Sequence, residues 1–371
     1  MSNQYWFGEQ RNQVKNAQDH GGELQRASLQ SGLPISRITD FSSNLNPLGP
    51  PPGLLSYLCQ GINSISCYPE PQARRLRDAI GKRMGLSPNR LVLGNGANDL
   101  LHFLLCWKKP SKALIPVPSF SEYYRAARLA GAQVEYIPLP PGQSLPVKEM
   151  GANLGRGDWL IIGNPQNPTG AMFARQKLKS LVHEARKRGA MILLDESFLP
   201  LTQRQEESLQ NDEEENLWVV VSLTKCWSLP GLRLGYLVGP EEKVLPLQQE
   251  GDPWRVNALA QHGGLFCLQA GEHLQKAREL IEEEKKYLRN RLTRGGLLHV
   301  FEGEANFLLV KVEVPGFQVE DLYHYLLQQG FLIRRGDNFQ GLDEKYFRLA
   351  VRKREDNQKL VECLEDYLDL N

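Results

Sequence analysis

The chain has 371 residues, 44 Lys and Arg against 43 Asp and Glu, and a formal net charge of +1, with 41% hydrophobic residues. At that length it can bury a large core, and two domains are the prior. No field of one sign covers it and no run of about twenty apolar residues occurs, which argues against nucleic-acid binding and against a membrane span.

Six cysteines, at 59, 67, 106, 226, 267 and 363, form no CxxC and no short cluster. That is ordinary intracellular usage, with a disulfide left open. The segment from Met1 to Glu9 is polar and shows no basic stretch followed by an apolar one, so a soluble cytoplasmic protein is expected.

Residues 1–50 mix Gly, Pro, Asn and Ser with little periodicity and read as an arm laid across a surface, with a short helix over Gly22 to Gln30. From Leu91 the pattern turns strand-like: Leu91 to Leu93, Ala113 to Val117, Gln133 to Ile137, Trp159 to Ile162, Met191 to Leu194, Leu217 to Val221 and Leu232 to Val238. Helical stretches separate several of them, notably Asp99 to Trp107, Ser121 to Ala130 and Ala174 to Arg188. A helix-flanked, mostly parallel sheet buries both faces of such strands, which makes the fold class α/β. The acidic run Asn211 to Glu215 reads as a solvated loop rather than a metal site. Asn257 to Gln269 and Glu272 to Arg291 are long helices. Beyond them, Leu298 to Phe301, Asn306 to Val310, Val319 to Gln329, Phe331 to Arg334, Tyr346 to Val351 and Asn357 to Leu368 alternate strand and helix. The expected division is an arm over 1–50, a large domain over 51–255, connecting helices over 256–295 and a smaller α/β domain over 296–371.

The chemistry concentrates in Ser222-Leu-Thr224-Lys225-Cys-Trp-Ser-Leu-Pro-Gly-Leu-Arg233. It sets one lysine in a polar turn between two apolar runs, with hydroxyls before it and an arginine after it. Such a lysine suits a Schiff base to a phosphorylated aldehyde. Upstream lie Asn164-Pro-Gln-Asn167-Pro-Thr-Gly170 and the pair Asp195-Glu196, which closes an apolar run where a carboxylate must be paired. Gly94-Asn-Gly96-Ala97-Asn98-Asp99 precedes a helix, so its amides can point at an anion.

In that order the segments resemble the fold-type I pyridoxal phosphate (PLP) enzymes, the aspartate aminotransferase superfamily, over nearly the whole chain. Within it, His20-Gly-Gly, Asp40 to Gly49, Tyr68-Pro, Pro253 to Asn257 and Leu332-Ile-Arg334 resemble the threonine-phosphate decarboxylase branch, to which histidinol-phosphate aminotransferases are close. The resemblance implies PLP as cofactor and no metal. Lys225 would carry it and move protons at the substrate α-carbon, Asp195 would face the pyridine nitrogen, and Asn167 would donate to the ring oxygen. Gly96, Ala97, Asn98, Ser222, Thr224 and Arg233 would hold the cofactor phosphate, and Phe120 would stack on the ring, with Tyr123 either beside it or in the core. Phe198 stands where many relatives carry a tyrosine, which removes a hydroxyl and shifts load to Asn167; filling core is its other reading. Glu196 is expected to be structural.

Tyr68 resembles the tyrosine that reaches the phosphate bound in a partner subunit, which would make the enzyme a homodimer with shared sites; packing before Pro69 is the alternative. Arg348 resembles the arginine that grips the substrate α-carboxylate. Arg334 and His20 would hold a distal phosphate, anchoring of its own backbone being the other reading of His20, and Asn44 would complete the substrate site, while Arg335 is expected to be solvated. The substrate would be a phosphorylated amino acid, either decarboxylated or transaminated depending on which bond at the α-carbon stands perpendicular to the ring. An arginine on the carboxylate poses a difficulty for decarboxylation, because it stabilises ground-state charge that the reaction destroys. A non-catalytic sensor role has little in its favour, since the lysine and the aspartate are both present and no basic stripe accompanies them.

Overall fold

The computed structural model describes residues 21–370 of the chain. Seven strands form one twisted sheet in the order Leu91–Gly94, Gly235–Val238, Leu217–Ser222, Met191–Asp195, Trp159–Gly163, Lys112–Val117, Gln133–Pro138. The last five of these run parallel, and Gly235–Val238 is antiparallel to both of its neighbours. Continuous burial along most strands explains why the sequence shows apolar runs there rather than alternation.

Alternate residues feed two cores. Leu160, Ile162, Leu194, Val219 and Val221 pack on one face against the helices Arg74–Met84, Arg175–Lys187 and Ala258–Cys267. Ile161, Leu193, Val220 and Leu237 pack on the other against Ala97–Lys108 and Ser121–Leu129. Each fully buried Leu, Ile or Val contributes about 1.5–3 kcal/mol of transfer free energy, so the layers fix the sheet and with it the strand ends.

A second sheet is antiparallel, in the order Arg334–Arg335, Tyr346–Ala350, Phe307–Val312, Leu298–Val300. Val319–Gln328 and Arg354–Leu370 cover it through Leu322, Leu326, Leu360, Val361 and Leu364. The 22-residue helix Gly271–Leu292 serves both halves: Leu274, Ala277 and Ile281 lie in the first core, Leu288 and Leu292 in the core of the second sheet. The early segment is stitched to the late one, since Thr39–Asp40 pairs in parallel with Phe331–Leu332 and Phe41 is fully buried in the second core.

Two expected strands are cut short. The strand expected over Leu232 to Val238 begins only at Gly235, because Arg233 takes a left-handed φ of 58° and ends the preceding turn. Phe331 to Arg334 divides at Ile333 into two short strands with different partners, one paired to Thr39–Asp40 and one to Tyr346–Ala350. The acidic run is not simply solvated. Asp212 takes ion pairs from Arg175 and Lys179 at 2.5 and 2.8 Å, and Glu214 and Glu215 take Arg186 at 3.2 and 3.1 Å.

Candidate active site

In open α/β sheets the carboxyl ends of parallel strands leave backbone groups and loops facing a common crevice. Here those ends supply Phe120 after Lys112–Val117, Pro165 and Asn167 after Trp159–Gly163, Asp195 at the close of its own strand, and Ser222 to Lys225 after Leu217–Ser222. They line a cavity of about 350 Å3 together with Ala97, Asn98, Arg233, Asn44, Arg334 and Arg348. Gly21 also lines it, while His20 lies outside the described residues. Tyr68 does not line the cavity; it is 81% exposed and packs on Trp254 with ring centroids 4.7 Å apart.

The Lys225 turn is a four-residue helix, Leu223–Cys226, held from outside. The backbone N–H of Asn46 donates to the Lys225 carbonyl at 3.0 Å, and the Asn46 side-chain amide donates to the Cys226 carbonyl at 2.9 Å. The lysine amine therefore projects from a fixed turn. Its pKa is lowered from 10.5 to about 8, first by burial and then by repulsion from Arg348 and Arg233. Burial pushes the Asp195 carboxyl up, while hydrogen bonds from Ser197 and Tyr123 oppose that. The backbone N–H of Ser197 donates to its Oδ1 at 2.9 Å, and the Tyr123 hydroxyl to its Oδ2 at 2.8 Å. Glu196, fully buried, accepts from Ser208, the backbone N–H of Leu209 and Gln210 at 2.6, 2.8 and 2.8 Å, a satisfied structural carboxylate.

A cradle for a compact anion lies at the start of the helix Ala97–Lys108. Gly96 has φ 89°, and a Cβ there would stand 2.6 Å from an Arg233 terminal nitrogen, so only glycine lets the guanidinium close on the turn. The Ser222 and Thr224 hydroxyls share a hydrogen bond at 2.7 Å, which leaves one of their two protons to donate to an anion. The Asn98 amide nitrogen donates to Glu122 at 3.0 Å, and its buried Oδ1 has no partner. Glu122 is itself buried and also takes His102 and Arg125 at 3.3 and 2.8 Å.

Across the cavity stand two buried arginines. Arg334 and Arg348 are register partners on adjacent strands, and the ring of Phe339 lies 5.0 Å from one guanidinium and 5.9 Å from the other. Arg348 donates to Asn167 Oδ1 at 2.5 Å and to the Ser42 carbonyl at 2.6 Å, and its Nε has no partner. Burial and Arg334 push its pKa down to about 9, still charged at neutral pH. Because Asn167 spends its oxygen on Arg348, its amide nitrogen remains to donate into the cavity. Phe198 lines the same wall and meets Phe307 edge-on at 5.0 Å, so it serves core and cavity together. Arg335, expected to be solvated, is paired with Glu320 and Asp337 at 2.8 and 3.3 Å.

Several contributors escape sequence reasoning. Ser42 acts through a carbonyl that any residue has, and Asn46 through a contact to a turn 180 residues away. Phe339 is a loop aromatic with no periodicity to mark it. The Asp40-Phe-Ser-Ser motif does carry a signal for the bend: Asp40 Oδ1 accepts from the Ser42 N–H and hydroxyl at 2.8 and 2.6 Å, an aspartate turn that aims the Ser42 region.

The family model described as aminotransferase class I and II matches residues 36–364. The chain belongs to that family. A protein of Caldanaerobacter subterraneus subsp. tengcongensis, provisionally named threonine-phosphate decarboxylase, is 35% identical over 87% of this chain and 88% of its own. The threonine-phosphate decarboxylase of Salmonella typhimurium is 31% identical over 94% of this chain and 96% of its own. Among solved structures, the histidinol-phosphate aminotransferase of Clostridium acetobutylicum superposes with a TM-score of 0.83 at 29% identity, over 89% of this chain and 99% of that one. The aminotransferase class I and II assignment brings PLP as the cofactor, and the residues fit it. The glycine-cleared cradle at a helix start, a hydroxyl of the Ser222–Thr224 pair and Arg233 suit a phosphate, Lys225 suits an aldehyde, and the buried Asp195 suits a ring nitrogen.

Proposed function

We propose that the protein decarboxylates L-threonine O-3-phosphate to (R)-1-amino-2-propanol O-2-phosphate, a step of cobalamin biosynthesis. The observation that carries this reading is the pair of buried guanidiniums, Arg348 and Arg334, side by side on one wall of the cavity. Two buried guanidiniums on one wall match a substrate with two anionic groups. Threonine phosphate has a carboxylate and a phosphate. Histidinol phosphate has a phosphate only, and in its transamination the two arginines would serve the two carboxylates of 2-oxoglutarate instead. The decarboxylase names of the 35% and 31% identical relatives point the same way.

When bound, PLP supplies an electron sink for the bond broken at the substrate α-carbon. Lys225, whose pKa of about 8 lets it hold and give up a proton near neutral pH, delivers one in its ammonium form to the α-carbon once carbon dioxide has left. Asp195 stabilises positive charge on the ring nitrogen. Arg334 binds the distal phosphate by charge-assisted hydrogen bonds, and Arg348 orients the carboxylate. Both terminal nitrogens of Arg348 donate to neutral protein acceptors, so the guanidinium keeps its charge while the protein fixes its direction. Its part in the reaction is to set the carboxylate at the angle from which it leaves.

Transamination of histidinol phosphate is the second reading, favoured by the TM-score of 0.83 to an enzyme of that name. Measuring carbon dioxide release from threonine phosphate beside amino transfer from histidinol phosphate to 2-oxoglutarate tests both. Carbon dioxide release without amino transfer is expected, and the reverse pattern would replace the first reading by the second. The protein is also read as a homodimer with shared sites, supported by exposed Leu55, Ile62, Ile65, Tyr68 and Trp254 in the segments 54–68 and 252–255.

A further inference from the structure

Tyr123 is only 2% exposed, and its hydroxyl donates to Oδ2 of Asp195 at 2.8 Å. A phenylalanine would fill nearly the same volume, so packing does not account for the hydroxyl. The neighbouring strand makes room for it: Gly163 is the register partner of Asp195, and a Cβ at 163 would stand 3.1 Å from the Tyr123 oxygen, as well as 3.0 Å from Gln166 Oε1 and 3.2 Å from the Pro165 carbonyl oxygen. The same ring meets Phe120 edge-on at 5.7 Å, so it also braces the aromatic that faces the cavity. Asp195 needs such help. Burial favours its neutral acid, and in a dry site an acid beside an unprotonated ring nitrogen competes with a carboxylate beside a protonated one. A donor to the carboxylate favours the charged pair.

We propose that Tyr123 is a positioning residue, whose hydroxyl holds Asp195 ionised and turned toward the cofactor ring nitrogen, and that Gly163 lacks a side chain to leave space for that hydroxyl. The inference rests on the PLP site described above. Loss of one hydrogen bond to a charged group lowers turnover about tenfold to a hundredfold, so Tyr123→Phe should lose that much kcat. KM and the dissociation constant for PLP should stay within about threefold, because the phenol hydroxyl is bonded to Asp195 and is not one of the donors of the phosphate cradle.

The decisive readout is independent of turnover. Enzyme loaded with PLP carrying 15N in the ring should give a protonated-nitrogen chemical shift in the wild type. The Tyr123→Phe signal should move toward the unprotonated value, for which Asp195→Asn provides the reference. An unmoved 15N signal in Tyr123→Phe, with kcat within about twofold of wild type, would overturn the role of Tyr123 while leaving the cofactor site intact. A wild type that takes up no PLP would overturn the site and the inference together.

Discussion

Lys225 has a pKa of about 8 because burial strips water from its ammonium and because Arg348 and Arg233 repel it, with Asp195 and Asp40 offsetting only part of this. The neutral amine is the nucleophile, so lowering the pKa moves the reactive form into the physiological range. Covalent capture of PLP by the cofactor-free protein should therefore accelerate as pH rises through about 8 and level off above it. Arg348→Met should move that midpoint upward by removing a repelling cation, and stopped-flow absorbance would follow both. A midpoint near the ordinary lysine value of 10.5 would remove the electrostatic account. Lys225→Ala should abolish turnover and leave no borohydride-reducible link, as peptide mapping would reveal. Asp195→Ala should lose about a hundredfold in kcat with PLP saturating, a loss typical of removing a charge-stabilising group. At the substrate wall, Arg334→Ala should lose about 2–5 kcal/mol of binding for a phosphorylated substrate and much less for its unphosphorylated analogue. Equal losses on both would assign Arg334 to the carboxylate or to the fold.

At the scale of elements, the turn Gly94 to Asn98 shows how local chemistry positions an anion site. Gly96→Ala adds a Cβ 2.6 Å from Arg233 at a φ of 89°, so the guanidinium must retreat. The expected result is a PLP dissociation constant weakened about tenfold or more, measured by fluorescence titration of the cofactor-free protein, together with a stability loss of about 1–3 kcal/mol from the strained backbone. Much of the element pattern is readable in the sequence, because Trp159 to Gly163 and Leu217 to Ser222 are buried on both faces and so consist of unbroken apolar runs. Reading fails where a residue serves two structures. Phe331 to Arg334 looks like one strand but answers to two partners, and Arg233 ends a turn inside what looks like a strand. Glu241–Glu250 is helical although Pro246 sits inside it, and Arg74–Met84 hides its period under six charged side chains, with only Leu76, Ile80 and Gly81 buried. The site residues with distinctive chemistry, Lys225, Asp195 and Arg348, are legible in their motifs. Ser42 and Phe339 are not, since a backbone carbonyl and a loop ring acquire meaning only when distant segments meet.

For the whole molecule the open question is whether one chain suffices. Tyr68 is 81% exposed and does not line the cavity of its own chain, whereas Leu55 and Ile65 nearby are 68% and 65% exposed. Apolar side chains that prominent, on a segment leading to a tyrosine with no role in its own site, suit an interface with a second copy. Sedimentation should give twice the chain mass of 42.0 kDa, and Leu55→Lys with Ile65→Lys should give monomers with little activity. Sharing of sites has a sharper signature than dimerisation. Tyr68→Ala should weaken cofactor binding, and Lys225→Ala should be inactive, so neither variant alone turns over well. In a mixed dimer, the subunit that keeps Lys225 receives the intact Tyr68 of the other and regains one complete site. Co-expression of the two variants should therefore restore about a quarter of the wild-type rate, since about half of the dimers are mixed and each has one working site of two. Activity no higher than the sum of the two variants expressed separately would confine Tyr68 to its own subunit and leave each site to a single chain.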